Sequence, residues 1–343
     1  MNELEQRIHK EIAEKGGIPF SRFMELALYE PGLGYYETQK EVGRCGDFFT
    51  SVSVGRVYGE LLAFQIADWL EGIDGRVQLV EAGAHDGRLA KDVLGFLREW
   101  RPEVFARCEL VLYEPSEIHR RWQQQTLVDF VEKVQWVDLL KPFKGVSYCN
   151  ELLDACPAER LVFHKGNWVR SYVVSQGESF KWSLNYEATS WGAQFDSVEE
   201  GVVVASGDYS VWQHICKSLI AGRAMVVDYG ITEAEFLDVP RANGTLRGYR
   251  QHQWVDDVLE APGEIDITAS VNFTEVERIA EASGLQHHSL TRQAQFLVRI
   301  FEQTLRRPWQ FPEWTADRSR QFQTLVHPEH LGHAFKMLEC WNP

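Results

Sequence analysis

The sequence lacks any apolar run long enough to cross a membrane. Its longest apolar stretches, such as residues 77–80, 110–113 and 224–227, have the length of β-strands, far below the roughly 18 residues that span a bilayer. The N-terminal residues MNELEQR contain neither the apolar core of a secretory signal nor the Arg- and Ser-rich composition of a transit peptide. We therefore expect a cytoplasmic protein with no membrane partner.

Metal-binding patterns are also missing. The six cysteines show no Cys-x-x-Cys spacing, which argues against zinc knuckles and against a disulfide framework. His327, His330 and His333 stand three residues apart, whereas metal-binding histidines on one helix face usually stand four apart. We therefore expect no metal site.

Long runs of Lys and Arg are absent, and the formal net charge is −15. Such a charge repels phosphate backbones unless a basic patch opposes it. The sequence therefore predicts no nucleic-acid partner and favours cationic substrates. It does not fix the oligomeric state and leaves a homodimer open.

What is present is the composition of a globular protein, with 44% hydrophobic and 25% charged residues among 343. Helical spacing of apolar residues predicts helices at 4–16, 23–29 and 54–70, so residues 1–75 form a helical cap in this interpretation. A second domain is predicted at residues 76–343, with an insertion at about 157–205 that begins as a β-hairpin around Gly166.

From residue 77 onwards, short apolar runs alternate with helical patterns. This rhythm is typical of an α/β fold with a doubly wound parallel sheet. Later segments predict a helix at 274–283 and a strand near 294–299 that helps to close the sheet. The predicted strands are residues 77–81, 110–114, 134–136, 147–150 and 225–228.

The first strand runs into a glycine-containing turn at residues 81–87. Glu81 precedes Gly83 and Gly87 in the pattern E-x-G-x-x-x-G, and this first turn is where a nucleotide-like ligand approaches the backbone in open α/β sheets. An acid there would repel a pyrophosphate but suits a cofactor with an ammonium group. Glu114 ends the next strand, where it could accept bonds from ribose hydroxyls, and Asp138 after the third could meet an adenine amino group. The alternatives are an ordinary tight turn, a solvated strand end and an exposed loop acid.

Motifs along nearly the whole chain resemble, in order, those of the MidA family. They are FSRFMELALYEPGLGYY at 20–36, GDFFT at 46–50, NELLDA at 150–155 with Pro157, DYG at 228–230, GTLR at 244–247, DIT at 266–268 and QFL at 295–297. The resemblance implies a Rossmann-like class I methyltransferase sheet with S-adenosylmethionine as cofactor. Its mitochondrial members are protein arginine methyltransferases of the complex I assembly factor type, which by analogy implies a protein substrate methylated on arginine.

One part of the turn departs from the family pattern E-x-G-P-G-x-G, because Ala84, His85 and Asp86 follow Gly83. Histidine tolerates positive φ better than β-branched residues do, so we expect the turn to be kept. The departure motivates an alternative function, a catalytically weakened family member that acts as a binding or assembly factor. A nicotinamide-dependent oxidoreductase is a further alternative, disfavoured by the missing G-x-G-x-x-G.

The candidate catalytic residues follow a buried strand at the carboxyl edge of the sheet, where ligands bind in this architecture. Carboxylates hold a guanidinium in a fixed plane through paired hydrogen bonds, so Glu151 is the first candidate for orienting an arginine, with Asp154 second and Asn150 in support. Helix capping is the alternative role for Asn150 and Asp154. Gly46 and Asp47 lie in a loop where Asp47 is predicted to close over the cofactor or to pair with the substrate, with a turn-stabilising aspartate as the alternative.

Overall fold

A computed structural model describes residues 1–38, 50–189, 198–236, 244–251, 253–328, 331–332 and 334–342. Within these ranges, no helix combines the length and the apolar character needed to cross a membrane. The N-terminal elements are α1 (Glu3–Lys15), β1 (Ile18–Pro19), α2 (Phe20–Tyr29), α3 (Tyr35–Thr38), α4 (Ser51–Val54) and α5 (Arg56–Glu71).

Helix α1 begins and ends where its sequence dictates. Asn2 and Glu5 form a reciprocal capping box at its start, and Gly16 ends it in the left-handed conformation at φ 77°. The helix buries Leu4, Ile8 and Ile12 in a core shared with α2 and the inserted strands. The first two helices therefore pack on the insertion, whereas α5 packs on the main sheet.

The main sheet supports the site. Its elements up to the insertion are β2 (Val77–Ala82), α6 (Arg88–Trp100), α7 (Pro102–Arg107), β3 (Cys108–Tyr113), α8 (Glu117–Thr126), β4 (Val134–Val137) and β5 (Phe143–Asn150). Strands β10, β5, β2, β3 and β4 are neighbours in that order and parallel, as predicted. The chain passes from β2 outward to β4 and then returns to β5 on the other side of β2, so the switch point lies between β2 and β5.

The insertion forms a second, antiparallel sheet. Its strands are β6 (Ala158–His164), β7 (Asn167–Gln176), β8 (Ser179–Ala188) and β9 (Val203–Gly207). The predicted hairpin is confirmed, because Lys165 and Gly166 connect β6 to β7 with φ of 49° and 78°, the conformation that two-residue hairpin turns favour. Strand β1 pairs with β7, which ties the N-terminal segment to this sheet.

The last third of the chain completes the main sheet and covers both of its faces. Its elements are α9 (Ser210–Ser218), β10 (Leu219–Ile231), α10 (Glu233–Phe236), β11 (Leu246–Arg250), β12 (Gln253–Val255), β13 (Asp266–Ala269), β14 (Val271–Asn272), α11 (Phe273–Ala282), β15 (Gln286–Arg292), α12 (Gln293–Arg306), α13 (Ala316–Val326) and β16 (Phe335–Asn342). Helices α5, α6, α12 and α13 cover one face and α9 and α11 the other. Antiparallel β15 and β16 add to the β10 edge.

One predicted element is wrong. Residues 294–299, expected as a strand, lie in helix α12, which buries Phe296, Leu297, Ile300 and Thr304. These buried positions recur with helical spacing along the 14 residues of α12. The six residues 294–299 alone are too few to show that spacing. The sheet is closed instead by β15 and β16.

Candidate functional site

A pocket opens at the carboxyl ends of β2 and β5, the switch point of the sheet. Its walls come from distant parts of the chain, because the N-terminal segment, both strand ends and β13 meet there. The lining residues are Tyr35, Tyr36, Thr50, Val52, Ser53, Glu81, Gly83, Ala84, His85, Asp86, Arg88, Leu89, Asn150, Glu151, Asp154, Asp266 and Thr268. Five of the residues predicted from the sequence are thus brought together: Glu81, Gly83, Asn150, Glu151 and Asp154.

The turn after β2 depends on backbone conformations that few side chains tolerate. Gly83, His85 and Gly87 have φ of 71°, 46° and 82°, so the expectation that histidine can occupy this turn is confirmed. A Cβ on Gly83 would lie 2.6 Å from Leu152 Cδ1. The missing side chain therefore lets the turn after β2 pack directly against the loop after β5.

Glu81 ends β2 as a buried acid, with 3% of its surface exposed. The hydroxyl of Tyr148 donates to its Oε2 at 2.8 Å, but burial outweighs this bond and raises the pKa of Glu81 to about 8. A desolvated carboxyl group at a pocket wall is stabilised in its ionised form by an incoming cation. Glu81 thus fits the ammonium group of S-adenosylmethionine.

Glu114 lies at the end of β3 and is buried. Its carboxylate accepts hydrogen bonds from Ser116 N at 2.9 Å, from Gln123 Nε2 at 3.0 Å and, more weakly, from His119 Nδ1 at 3.3 Å. Gln123 Nε2 also donates to His85 O at 2.9 Å, which links Glu114 to the turn. Glu114 does not itself line the pocket, and its role towards a ribose stays a prediction.

Four other predicted cofactor positions are not among the described residues that line the pocket. The side chain of Asp138 is 77% exposed and pairs with Arg120, which matches the alternative of an exposed loop acid. Gly46 and Asp47 lie outside the described residues. Gly87 starts α6 behind the pocket wall, where a Cβ would meet Gln123 at 3.4 Å.

The loop after β5 holds the candidate catalytic residues in an unusual backbone conformation. Glu151 has φ of 52°, a left-handed conformation that is uncommon for residues other than glycine, and its N–H donates to Val227 O at 2.9 Å. The buried carboxylate of Asp228 accepts from the N–H groups of Leu152, Leu153 and Asp154 at 3.1, 2.8 and 3.4 Å. Asp228 therefore holds the backbone of the loop after β5 in place through these three hydrogen bonds.

The side chain of Glu151 is held on one oxygen. Asn150 Nδ2 and Ser51 N donate to Oε1 at 3.1 and 3.3 Å, and Tyr58 donates to Asn150 Oδ1 at 2.5 Å. Burial raises the pKa of Glu151 to about 8 and that of Asp154 to about 6. Desolvation thus disfavours the ionised forms of both neighbouring acids, and a cationic ligand would stabilise those forms.

Sequence reasoning left several site residues out of the candidate set. Asp228 follows the apolar run 224–227 and could have been found by the strand-end rule that selected Glu81. Tyr36 and Asp266 stand in two of the family motifs, but nothing local indicated that they meet. The Tyr36 hydroxyl donates to Asp266 Oδ1 at 2.7 Å across 230 positions of sequence. Among the described residues, no group of His, Cys, Asp or Glu could hold a metal ion.

Comparison with known proteins agrees with this geometry. Residues 61–291 match the sequence profile of a family of S-adenosyl-L-methionine-dependent methyltransferases. The chain is 27% identical to the mitochondrial protein arginine methyltransferase NDUFAF7 homologue of Drosophila melanogaster, covering 98% of this chain and 84% of the relative. It is 25% identical to the Homo sapiens NDUFAF7 protein, with coverage of 94% and 80%.

A solved structure shows the same fold with a cofactor product. A superfamily member from Burkholderia thailandensis, described as a methyl transferase and bound to S-adenosyl-homocysteine, superposes with a TM-score of 0.86 at 29% identity. The match covers 99% of this chain and 92% of that protein. The profile match, the relatives and this neighbour place the chain in the MidA family of S-adenosylmethionine-dependent methyltransferases.

Proposed function

We propose that this enzyme transfers methyl groups from S-adenosylmethionine to arginine side chains of a protein substrate. The observation that carries the proposal is the pair of half-buried, desolvated acids, Glu151 and Asp154, on one loop of the pocket. A guanidinium is planar, always charged and suited to carboxylate partners. The curated relatives in Drosophila melanogaster and Homo sapiens are named protein arginine methyltransferases, which supports the same acceptor class.

The residues divide the work between donor and acceptor. When bound, S-adenosylmethionine supplies an electrophilic methyl group. Glu81 holds the ammonium end, and the left-handed turn at Gly83 lets the backbone come close. Glu151 orients the guanidinium through Oε2, since Asn150 and Ser51 already hold Oε1, and in its ionised form it accepts the proton that the acceptor nitrogen releases. Alignment of donor and acceptor, rather than new covalent chemistry, is the main contribution of the protein.

Transfer to arginine is tested with tritium-labelled S-adenosylmethionine and a cell lysate as the source of acceptors. We expect labelled methylarginine after acid hydrolysis, and a loss of at least about 100-fold for Glu151→Gln, the scale of a lost general base. Calorimetry should show that Glu151→Gln still binds S-adenosylhomocysteine. Glu117→Gln, on a side chain that is 84% exposed, is the matched control and should keep full transfer.

The possible results separate the alternatives. Label on lysine or on carboxyl groups would refute the arginine acceptor while keeping the methyltransferase. No binding of S-adenosylhomocysteine by the wild-type protein would favour the weakened binding factor that Ala84, His85 and Asp86 motivated. A cytoplasmic location and a homodimer stay predictions, to be checked by fractionation and by light scattering.

A further inference from the structure

The first turn of α8 makes two parallel bridges between Glu114 and the N-terminal segment. Ser116 donates its N–H to Glu114 Oε1 at 2.9 Å and its hydroxyl to Glu37 Oε1 at 2.6 Å. His119 faces Glu114 Oε2 with Nδ1 at 3.3 Å and Tyr36 O with Nε2 at 2.8 Å. A movement of Glu114 would therefore shift Glu37 through Ser116 and Tyr36 through His119.

The ring of His119 can satisfy both contacts only when it carries two protons. Its nitrogens face a carboxylate and a carbonyl oxygen, both of which accept hydrogen bonds and donate none. A neutral ring would direct a lone pair at one of them. Burial alone lowers the pKa of His119, but the hydrogen bond and the charge of Glu114 outweigh it and raise the pKa.

Tyr36 carries the connection to the acceptor side of the pocket. Its ring packs against Tyr29 and Tyr35 with centroids 5.6 and 5.2 Å apart, and we call these three residues the tyrosine wall. The wall is anchored near the candidate catalytic loop, because Tyr29 donates to Ala155 O at 2.8 Å and Tyr36 donates to Asp266 Oδ1 at 2.7 Å. It thus contacts both halves of the site.

We propose that His119 is a positioning residue that transmits the occupancy of Glu114 to the tyrosine wall, so that cofactor binding orders the acceptor side. The proposal rests on the cofactor role of Glu114. When a ribose binds that carboxylate, the doubly protonated ring is fixed more tightly between Glu114 and Tyr36 O, and the wall loses freedom. Cofactor and acceptor binding are then linked through the His119 ring, in parallel with the Ser116 bridge.

The charged groups around His119 define its pH dependence. Glu114 approaches from the end of β3 and Glu37 from α3, while the ring of His85 lies 5.2 Å away in the turn and Arg120 donates to Glu114 O on the same helix. Two acids thus favour the protonated ring. Glu81 also titrates in the pocket, so the effect of His119 must be read as a ratio between variant and wild type at each pH.

The test is hydrogen exchange of the peptide covering residues 29–38, with and without saturating S-adenosylhomocysteine. In the wild type, the ligand should slow exchange at least about threefold, as a local opening becomes more costly. In His119→Gln, whose amide can donate to only one of the two acceptors, saturating ligand should slow exchange by less than half as much as in the wild type, because only the Ser116 bridge remains complete. Ser116→Ala removes the contact with Glu37 and the N-cap bond from His119 N–H to Ser116 Oγ, but leaves both ring contacts of His119 in place. It should reduce the effect in part, even if the histidine variant fails to fold.

Affinity gives a second readout that a purely structural role would not produce. The dissociation constant of S-adenosylhomocysteine for His119→Gln, divided by that of the wild type, should be about tenfold at pH 6. This ratio should fall towards one as the pH rises past the raised pKa of the wild-type ring. A ratio independent of pH, or equal protection of residues 29–38 in wild type and variant, would overturn the proposal. Wild-type protein that binds no ligand would instead remove the cofactor role of Glu114 on which it rests.

Discussion

Replacing Gly83 with alanine should strain the turn after β2 and displace the loop after β5. The φ of 71° costs a non-glycine residue about 1–2 kcal/mol. The new Cβ would also lie 2.6 Å from Leu152 Cδ1 and 3.1 Å from its Cγ, and overpacking of this kind costs about 1–3 kcal/mol. The expected loss of unfolding free energy is therefore about 2–5 kcal/mol, the sum of these two ranges.

Gly166→Ala separates the two contributions. Gly166 has φ of 78° in the β6–β7 turn, and a Cβ there would meet nothing within 4 Å. Urea unfolding of this control should show only the backbone cost, and calorimetry should show unchanged affinity for S-adenosylhomocysteine. Gly83→Ala should lose both stability and affinity, because Gly83 lies in the pocket wall beside Glu81, on the side assigned to the cofactor.

Leu152→Ala in combination with Gly83→Ala completes a double-mutant cycle. Removing the Leu152 side chain relieves the contact, so the double variant should be more stable than the sum of the single effects by at least about 1 kcal/mol. If Gly83→Ala and Gly166→Ala have equal effects, or if the cycle shows additivity, the close approach of the two turns carries no energy and the reasoning fails.

Three further predictions follow from burial and charge. Since the pKa of Glu151 is raised to about 8, kcat/KM should increase with pH up to about 8, and a flat pH–rate profile would contradict a catalytic carboxylate. The pKa of Glu81 is also about 8, so binding S-adenosylhomocysteine at pH 7 should release a proton, measured by calorimetry in buffers of different ionisation enthalpy and lost in Glu81→Gln. Arg101→Met removes a 4% exposed side chain that is paired with two acids, and it should lower the free energy of unfolding, measured in urea, by about 3 kcal/mol. Arg306→Met, at a side chain that is 77% exposed, should lower it by less than about 0.5 kcal/mol.

The parallel core of the fold could be predicted because its signals are local. Strand β2 is a short apolar run next to a turn, and the same pattern recurs at β3 and β5, which is enough to indicate an α/β sheet. The docking partner of α1 could not be predicted in this way. Its apolar face was visible as Leu4, Ile8 and Ile12, but an amphipathic helix carries no information about which surface it covers, and here that surface is the inserted sheet.

The candidate site also combines residues that local sequence signals reveal with residues that they do not. Glu81 and Glu151 follow strands of the parallel sheet, and topology alone brings the carboxyl ends of such strands together. Asp138 obeys the same rule but lies at the outer strand β4, where its side chain remains exposed. His119 carries no local signal of its role, because its contacts with Glu114 and Tyr36 depend on how the N-terminal segment folds over α8.

The charge of the pocket explains why folding, proton binding and ligand binding are linked in this enzyme. The folded protein raises the pKa of Glu81 and Glu151 from 4.5 to about 8, so the folded state holds protons more tightly than the unfolded chain does. Their contribution to stability is therefore present below the unfolded pKa of 4.5 and is lost as the pH rises towards 8. A cation that binds beside either acid reverses this loss, since it stabilises the ionised carboxylate only in the folded state. The two cationic groups of the proposed reaction, an ammonium and a guanidinium, are thus matched to two pocket acids that the fold desolvates.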